Sequence, residues 1–161
     1  MTLDLTSDQV WEVIEKQNFG VLGMVTARGE ARTAGIVYIL GGRRLYIGTS
    51  TDSWKVRHVA QNPHVSLTIT VHKRVPLMPW IKVPAATITF CGEADIVDAL
   101  DAPRELIEKL YHGGADDRER MASLSLIGVT PVKEFLTYGI GVSLLDMRDP
   151  LKARTRVPVG V

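Results

Sequence analysis

Ser53 and Lys55 are the residues of this chain whose types and spacing could do chemistry. They follow a run of hydroxyls and one carboxylate, Thr49-Ser50-Thr51-Asp52. Trp54 to Gln61 then carries apolar side chains at Val56, Val59 and Ala60, the spacing of one face of a short helix. The first amides of a helix have no internal partner and bear partial positive charge. A hydroxyl and an ammonium added at that point describe a receptor for a phosphate. A capped helix with a solvated lysine uses the same residues, with Asp52 or Ser53 as the cap. A Ser-x-Lys is far less specific than a glycine-rich phosphate loop, so both readings stand at this level.

Other chemistries find less support. There is no G-x-G-x-x-G after a strand, no Walker glycine loop and no Ser-x-x-Lys around Lys55. His58, His64, His72 and His112 do not pair at metal-ligand spacing, and the lone Cys91 cannot complete such a set. Cys91 sits in an apolar strand pattern and reads as a buried, inert thiol. The net charge of +1 creates no global field for nucleic acid or a membrane surface. The few aromatics do not interleave with basic residues, which argues against single-strand binding. The first residues lack a basic stretch followed by an apolar one, so no signal peptide is expected, and no apolar run approaches a membrane span. A cytoplasmic, reducing compartment is the expectation.

The elements that must position Ser53 and Lys55 are strands. Leu45-Tyr46-Ile47 is a β-forming run ending in Gly48, and Val65 to Val71 alternates apolar with Ser and Thr. Asn62-Pro63 ends the helix between them, with Asn suited to a left-handed cap. Upstream, Thr6-Ser7-Asp8 opens a helix with Val10, Trp11, Val13 and Ile14 on one face and Asn18 as its stop. Phe19 to Ala27 is nearly continuously apolar and reads as a strand buried on both sides. Arg28-Gly29-Glu30 is a tight turn with positive φ at Gly29, and Ala31 to Leu40 returns as a second strand before Gly41-Gly42. Arg32, Ala34, Ile36 and Tyr38 share one face of it; Thr33, Gly35 and Val37 share the other.

Residues 73–84, KRVPLMPWIKVP, contain three prolines and cannot be a regular strand throughout. Trp80 in this loop closes over a ligand, docks on a partner chain or packs on its own barrel; the sequence does not choose. Ala85 to Val97 is a further strand. Asp101-Ala102-Pro103 starts a helix with Leu106, Ile107 and Leu110 as its stripe, and the charged Ala115 to Arg120 follows as a solvated loop or helix turn. Ser123 to Val129 and Lys133 to Val142 read as two closing strands joined at Thr130-Pro131. Residues 149–161 have no period and read as an extended tail. At 161 residues the chain is one domain with an ordinary globular composition.

The order Leu-Tyr-Ile-Gly-Thr, then Ser53-Trp54-Lys55, then Asn62-Pro63-His64-Val65 resembles the FMN-binding split barrels related to pyridoxamine 5'-phosphate oxidase. The hairpin from Gly20 to Leu40 fits as well. The resemblance implies a mainly β fold, a six- or seven-stranded antiparallel split barrel with flanking helices. It implies a homodimer with FMN at the subunit interface and a small-molecule substrate. By the same resemblance Ser53 and Lys55, with Arg32, hold the flavin phosphate. Arg32, Thr33 and Ala34 touch the ring edge and phosphate side, and Tyr46, Ile47, Gly48 and Thr49 run along the ring beside Trp54. The implied chemistry is flavin-dependent oxidoreduction. Related barrels bind the deazaflavin F420, and a non-enzymatic flavin- or haem-binding module is a third expectation. The tail lacks the Trp and His with which true pyridoxamine phosphate oxidases grip their substrate, and Arg156-Val157-Pro158 is a faint echo of that segment.

Overall fold

A computed structural model describes residues 4–160. The first three residues and Val161, the ends of the two terminal stretches discussed above, lie outside it. One antiparallel sheet dominates. Its strands are β1 (Phe19–Val25), β2 (Ala31–Val37), β3 (Ile39–Gly41), β4 (Arg44–Ser50), β5 (His64–Val71), β6 (Ala86–Asp98), β7 (Leu124–Tyr138) and β8 (Arg154–Pro158). They are ordered β2-β1-β5-β6-β7-β4-β3, with β8 on β7. Since β3 follows β2 after one residue yet lies at the opposite end of that order, the sheet must curl on itself. β2 and β4 then approach each other without ladder bonds, and the barrel is split along that line.

Alternation decides what lies inside. Leu22, Met24, Ile36, Tyr38, Leu45, Ile47, Leu67, Ile69, Ile88, Phe90, Val129 and Phe135 fill the barrel. Tyr38 brings a phenol into this core; its hydroxyl donates to the Ile14 carbonyl at 2.7 Å, and burial pushes its pKa up. Helix α1 (Ser7–Glu15) starts at a capping box between Thr6 and Gln9 and buries Val10, Trp11 and Ile14. Helix α2 (Trp54–Gln61) adds Val56 and Val59 to the same core. Helices α3 (Arg104–Tyr111) and α4 (Arg118–Ala122) cover the outer side of β4 and β7, where Ile107 and Met121 meet Leu126, Tyr46 and Leu124. A short helix α5 (Pro150–Ala153) precedes β8. Among the described residues no helix is long and apolar enough to cross a membrane.

Several expectations are corrected here. β1 is not buried on both sides: its residues alternate, with Phe19 and Val25 exposed, because none of the described residues covers its outer face at these positions. Cys91 is exposed on that same face. The two closing strands are one, β7, which takes Pro131 where its pairing passes from β4 to β8, so that one edge has no ladder to break there. A bulge follows, with a register shift opposite Phe90 and Cys91 and a positive φ at Lys133. Residues 149–161 are no free extended tail, since Asp149 caps α5 and residues 154–158 pair with β7. Helix α1 ends at Glu15, ahead of Asn18. Asn62 is extended, its side chain accepting the His64 amide at 3.0 Å. Pro103, with no side-chain bond, stands at the start of α3 in place of Asp101.

Candidate functional site

The turn between β4 and α2 is built by its own hydroxyls. Ser53 is the cap of α2: its Oγ accepts the Val56 amide at 3.3 Å and the Thr49 hydroxyl at 3.1 Å. Thr51 ties the turn to β7, its amide donating to Ser123 O at 3.0 Å and its hydroxyl lying 2.9 Å from Ser125 Oγ. The Ser50 hydroxyl donates to Asp52, and this bond holds the Asp52 carboxyl below its ordinary range. Asp52 therefore serves the turn, and Ser53 rather than Asp52 caps the helix. A lowered folded pKa stabilises above the unfolded carboxylate range and is lost as pH falls through the folded value. The small contribution of the exposed Asp52 is thus present near neutrality and is lost only in acid.

What remains at the head of α2 is a set of unused donors. With Val56 bonded to Ser53 Oγ and Arg57 bonded to Ser53 O, the amides of Trp54 and Lys55 have no intrahelical acceptor. The first turn contains no acidic residue. Lys55 makes no ion pair or hydrogen bond among the described residues; its Nζ lies 5.5 Å from the centroid of the Trp54 ring. A cation here opposes the helix dipole until an anion arrives. The donor set fits a phosphate monoester.

The surroundings of β4 limit where a flat ring could lie. Leu45 and Ile47 point into the core. Tyr46 and Gly48 face outward, but α3 occupies that side: a Cβ on Gly48 would stand 2.5 Å from Tyr111 Oη, and Leu106 packs over Gly41 beside Tyr46. The opening left is the strand edge. β3 pairs only with Arg44–Tyr46, so beyond Tyr46 the edge of β4 facing β2 has no ladder partner. This is the split of the barrel, and β2 supplies its other lip.

The residues named from sequence fall into two groups. Thr49, Ser53, Trp54 and Lys55 come together around the turn, with Tyr46, Ile47 and Gly48 leading into it. Arg32 and Thr33 line a groove of about 600 Å³ with His64, Ser66, Cys91 and Glu93, and none of the first group lines it. Arg32 is exposed and ion-paired to Glu30 at 2.7 Å. Its cross-strand partner is Met24 of β1, a strand that α2 packs against. Ala34, on the same strand as Arg32, is half-buried. Arg32→Ala should leave the unliganded protein within about 0.5 kcal/mol of wild type in urea unfolding, since the pair is solvent-exposed; a larger loss would make Arg32 structural.

Two buried groups were given no place in the site from the sequence. His58 Nδ1 and Tyr111 Oη are buried with no partner. His58 packs edge-on to Trp54 at 5.6 Å, one helical turn away, a spacing that could have flagged it. Tyr111 comes from α3, and no local pattern links it to Gly48. Burial raises its pKa, offset in part by Arg120. Removing the orphan hydroxyl in Tyr111→Phe should leave stability unchanged or raise it by about 1 kcal/mol. A clear loss in thermal melts would reveal a bond that the hydroxyl makes in solution.

The comparison with known families settles the lineage. The family model described as pyridoxamine 5'-phosphate oxidase matches residues 6–138. The chain belongs to the pyridoxamine 5'-phosphate oxidase family. Solved structures of the same fold include an F420 reductase, 22% identical, covering 75% of this chain and 91% of its own, with a TM-score of 0.52. General Stress Protein 26 from Bacillus anthracis is 18% identical, covering 81% and 92%, with a TM-score of 0.57. The haem storage protein HutZ from Vibrio cholerae is 16% identical, covering 88% and 98%, with a TM-score of 0.63. No curated protein matches the sequence. At these identities the likeness is to the fold alone.

Proposed function

We propose that this member of the pyridoxamine 5'-phosphate oxidase family binds FMN and acts as a flavin-dependent oxidoreductase on a small molecule. The observation that carries the reading is Lys55, an ammonium without an anionic partner at the acid-free start of α2. The Trp54 and Lys55 amides, the Thr49 and Ser53 hydroxyls and Lys55 Nζ would hold the phosphate. The open edge of β4 beyond Tyr46 would present backbone groups to the polar rim of the ring, with Arg32 to Ala34 on the facing strand. The flavin, when bound, supplies the hydride or electron chemistry, and the protein orients it and excludes water.

A second copy of the chain would complete the groove. The outer face of β2, β1, β5 and β6 is bare, with Phe19, Val25 and Val37 exposed around Gly35 and Thr33. A homodimer across this face should bury roughly 1,200 Å² or more in total. Light scattering at micromolar concentration should give twice the chain mass; a monomer would remove the intersubunit site.

F420 is the second reading, favoured by the F420 reductase among the structural neighbours and by the same phosphate receptor, which would take the phosphate of its longer tail. The absorbance spectrum of protein titrated with each cofactor is the test. Two bands of bound oxidised flavin support FMN, and a single violet band retained after gel filtration supports F420. A Soret band with haem, and no retention of either flavin, would overturn the proposal.

A further inference from the structure

We propose that the proline-rich loop between β5 and β6, with Leu145 beside it, is a docking surface for the interface of an anionic lipid bilayer. Among the described residues the loop holds half of the large apolar side chains that are exposed away from the sheet. Leu77 is 94% exposed and Trp80 74%, with Met78 and Ile81 exposed between and beside them. Leu145, 74% exposed, extends the patch, because the segment from Leu144 to Arg148 abuts the loop around a hollow of about 290 Å³. Val75, Ile81, Val83 and Pro84 line that hollow. Leu77 and Trp80 do not, although an apolar recess of their own chain stands next to them. Their side chains project from a convex tip. Such a tip enters a soft apolar phase more readily than it receives a peptide.

The tip is built, and its shape is held. Met78 N donates to Val75 O at 3.2 Å and Ile81 N to Met78 O at 3.1 Å, two turns in succession. Lys73 Nζ, partly desolvated, donates to Val142 O at 2.6 Å and fixes the base of the loop. Pro76 and Pro79 flank the Leu77–Met78 corner, where Leu77 has a φ of 67°. A preorganised loop loses little conformational entropy on insertion. Its irregular backbone restricts depth: carbonyls and amides without partners are not tolerated in hydrocarbon, so the tip can reach only the headgroup and upper acyl region. Tryptophan favours that layer.

Charge selects the lipid. Residues 73–84 contain Lys73, Arg74 and Lys82 and no acidic residue. Arg148 adds a cation from the abutting segment. Asp146 and Asp149 keep their charge while bonded to the Ser143 hydroxyl at 2.7 Å and the Leu151 amide at 3.0 Å, and the four cations outnumber them. The net charge of +1 for the whole chain conceals this local excess. Each basic side chain near an anionic surface strengthens partitioning about fivefold.

Sedimentation of the full-length protein with vesicles is the test. Vesicles of phosphatidylcholine mixed with phosphatidylglycerol should carry the protein down at low salt, with a blue shift of tryptophan fluorescence that Trp80→Phe removes, and phosphatidylcholine alone should bind it about tenfold or more weakly. Leu77→Ser with Trp80→Ser should reduce binding at least tenfold. Arg74→Gln with Lys82→Gln should reduce it about 25-fold, the product of two such steps, and blunt its salt dependence. All four side chains lie at the surface, so circular dichroism melts should match wild type. No sedimentation with the mixed vesicles would overturn the proposal, as would binding that survives both double substitutions. A change from dimer to monomer on losing Leu77 and Trp80, with no lipid binding in wild type, would assign the loop to contact between copies of the chain.

Discussion

Lys55→Ala raises the dissociation constant for FMN by about one to two orders of magnitude and leaves that for riboflavin unchanged. The expectation follows from the head of α2. A hydrogen bond to a charged group contributes roughly 1.5–3 kcal/mol, and Lys55 has no competing anion to give up on binding. Riboflavin lacks the phosphate and so cannot use the ammonium. Without ligand, the substitution removes a cation that opposes the helix dipole, and stability should hold or rise by a few tenths of a kcal/mol. The titration is read from quenching of flavin fluorescence in wild type and variant. Equal losses for both ligands would mean that Lys55 shapes the turn. Equal affinities of wild type and variant for FMN would take the phosphate away from α2, and with it most of the case for FMN. Ser53→Ala is a poorer probe, because it also removes the cap bond to Val56 and costs about 1 kcal/mol in the helix itself.

What the sequence made legible was what is local. The hydroxyl run, the apolar spacing of Val56 and Val59 and the proline after Asn62 define the strand-turn-helix unit without knowledge of anything distant. Gly29 takes its positive φ, 79°, in the hairpin where it was expected. The errors have one physical source: they depend on what covers a surface, and covering is non-local. The apolar run of β1 was read as doubly buried, yet among the described residues its outer face stays open, with Phe19 and Val25 exposed. Cys91 was read as inert for the same reason. The converse also occurs. Tyr111, more than sixty positions downstream of Gly48, stands over its outer side, and nothing near Gly48 in the sequence announces it. Pro131 was read as a strand break because sequence does not tell that β7 changes partners there. The tail has no period of its own because β8 alternates against a bulged strand for only five residues.

Phe135→Ala should be among the most damaging single substitutions in the chain, at about 3–5 kcal/mol. Phe135 is fully buried and paired with Phe90 across the strands, just where β6 and β7 come back into register after the bulge. Its ring meets Phe90 edge-on at 5.5 Å and Trp11 edge-on at 5.3 Å. Such edge contacts add to the loss of area. Trp11 in turn donates its indole N–H to Val159 O at 3.2 Å, and Ser7 Oγ donates to the same carbonyl at 2.5 Å. One ring thus seats the first helix and, through it, the end of the last strand. Its removal would leave a cavity that three elements line and that the rigid ladder around the bulge cannot close. In a chain of this size the loss corresponds to a fall in melting temperature of roughly 10 °C or more. Phe135→Leu, which keeps most of the volume, should cost under about 1.5 kcal/mol, and Leu151→Ala, at a site 92% exposed, under about 0.5 kcal/mol. Urea unfolding of the three variants ranks them directly. If Phe135→Ala proved as mild as the leucine variant, the α1 and β8 ends would be held by their hydrogen bonds and not by this ring. The folded fraction of the alanine variant should still bind FMN with wild-type affinity, because the ring partners of Phe135 are Trp11 and Phe90, outside the head of α2; a loss of affinity in that fraction would show that the relaxed core displaces the phosphate turn.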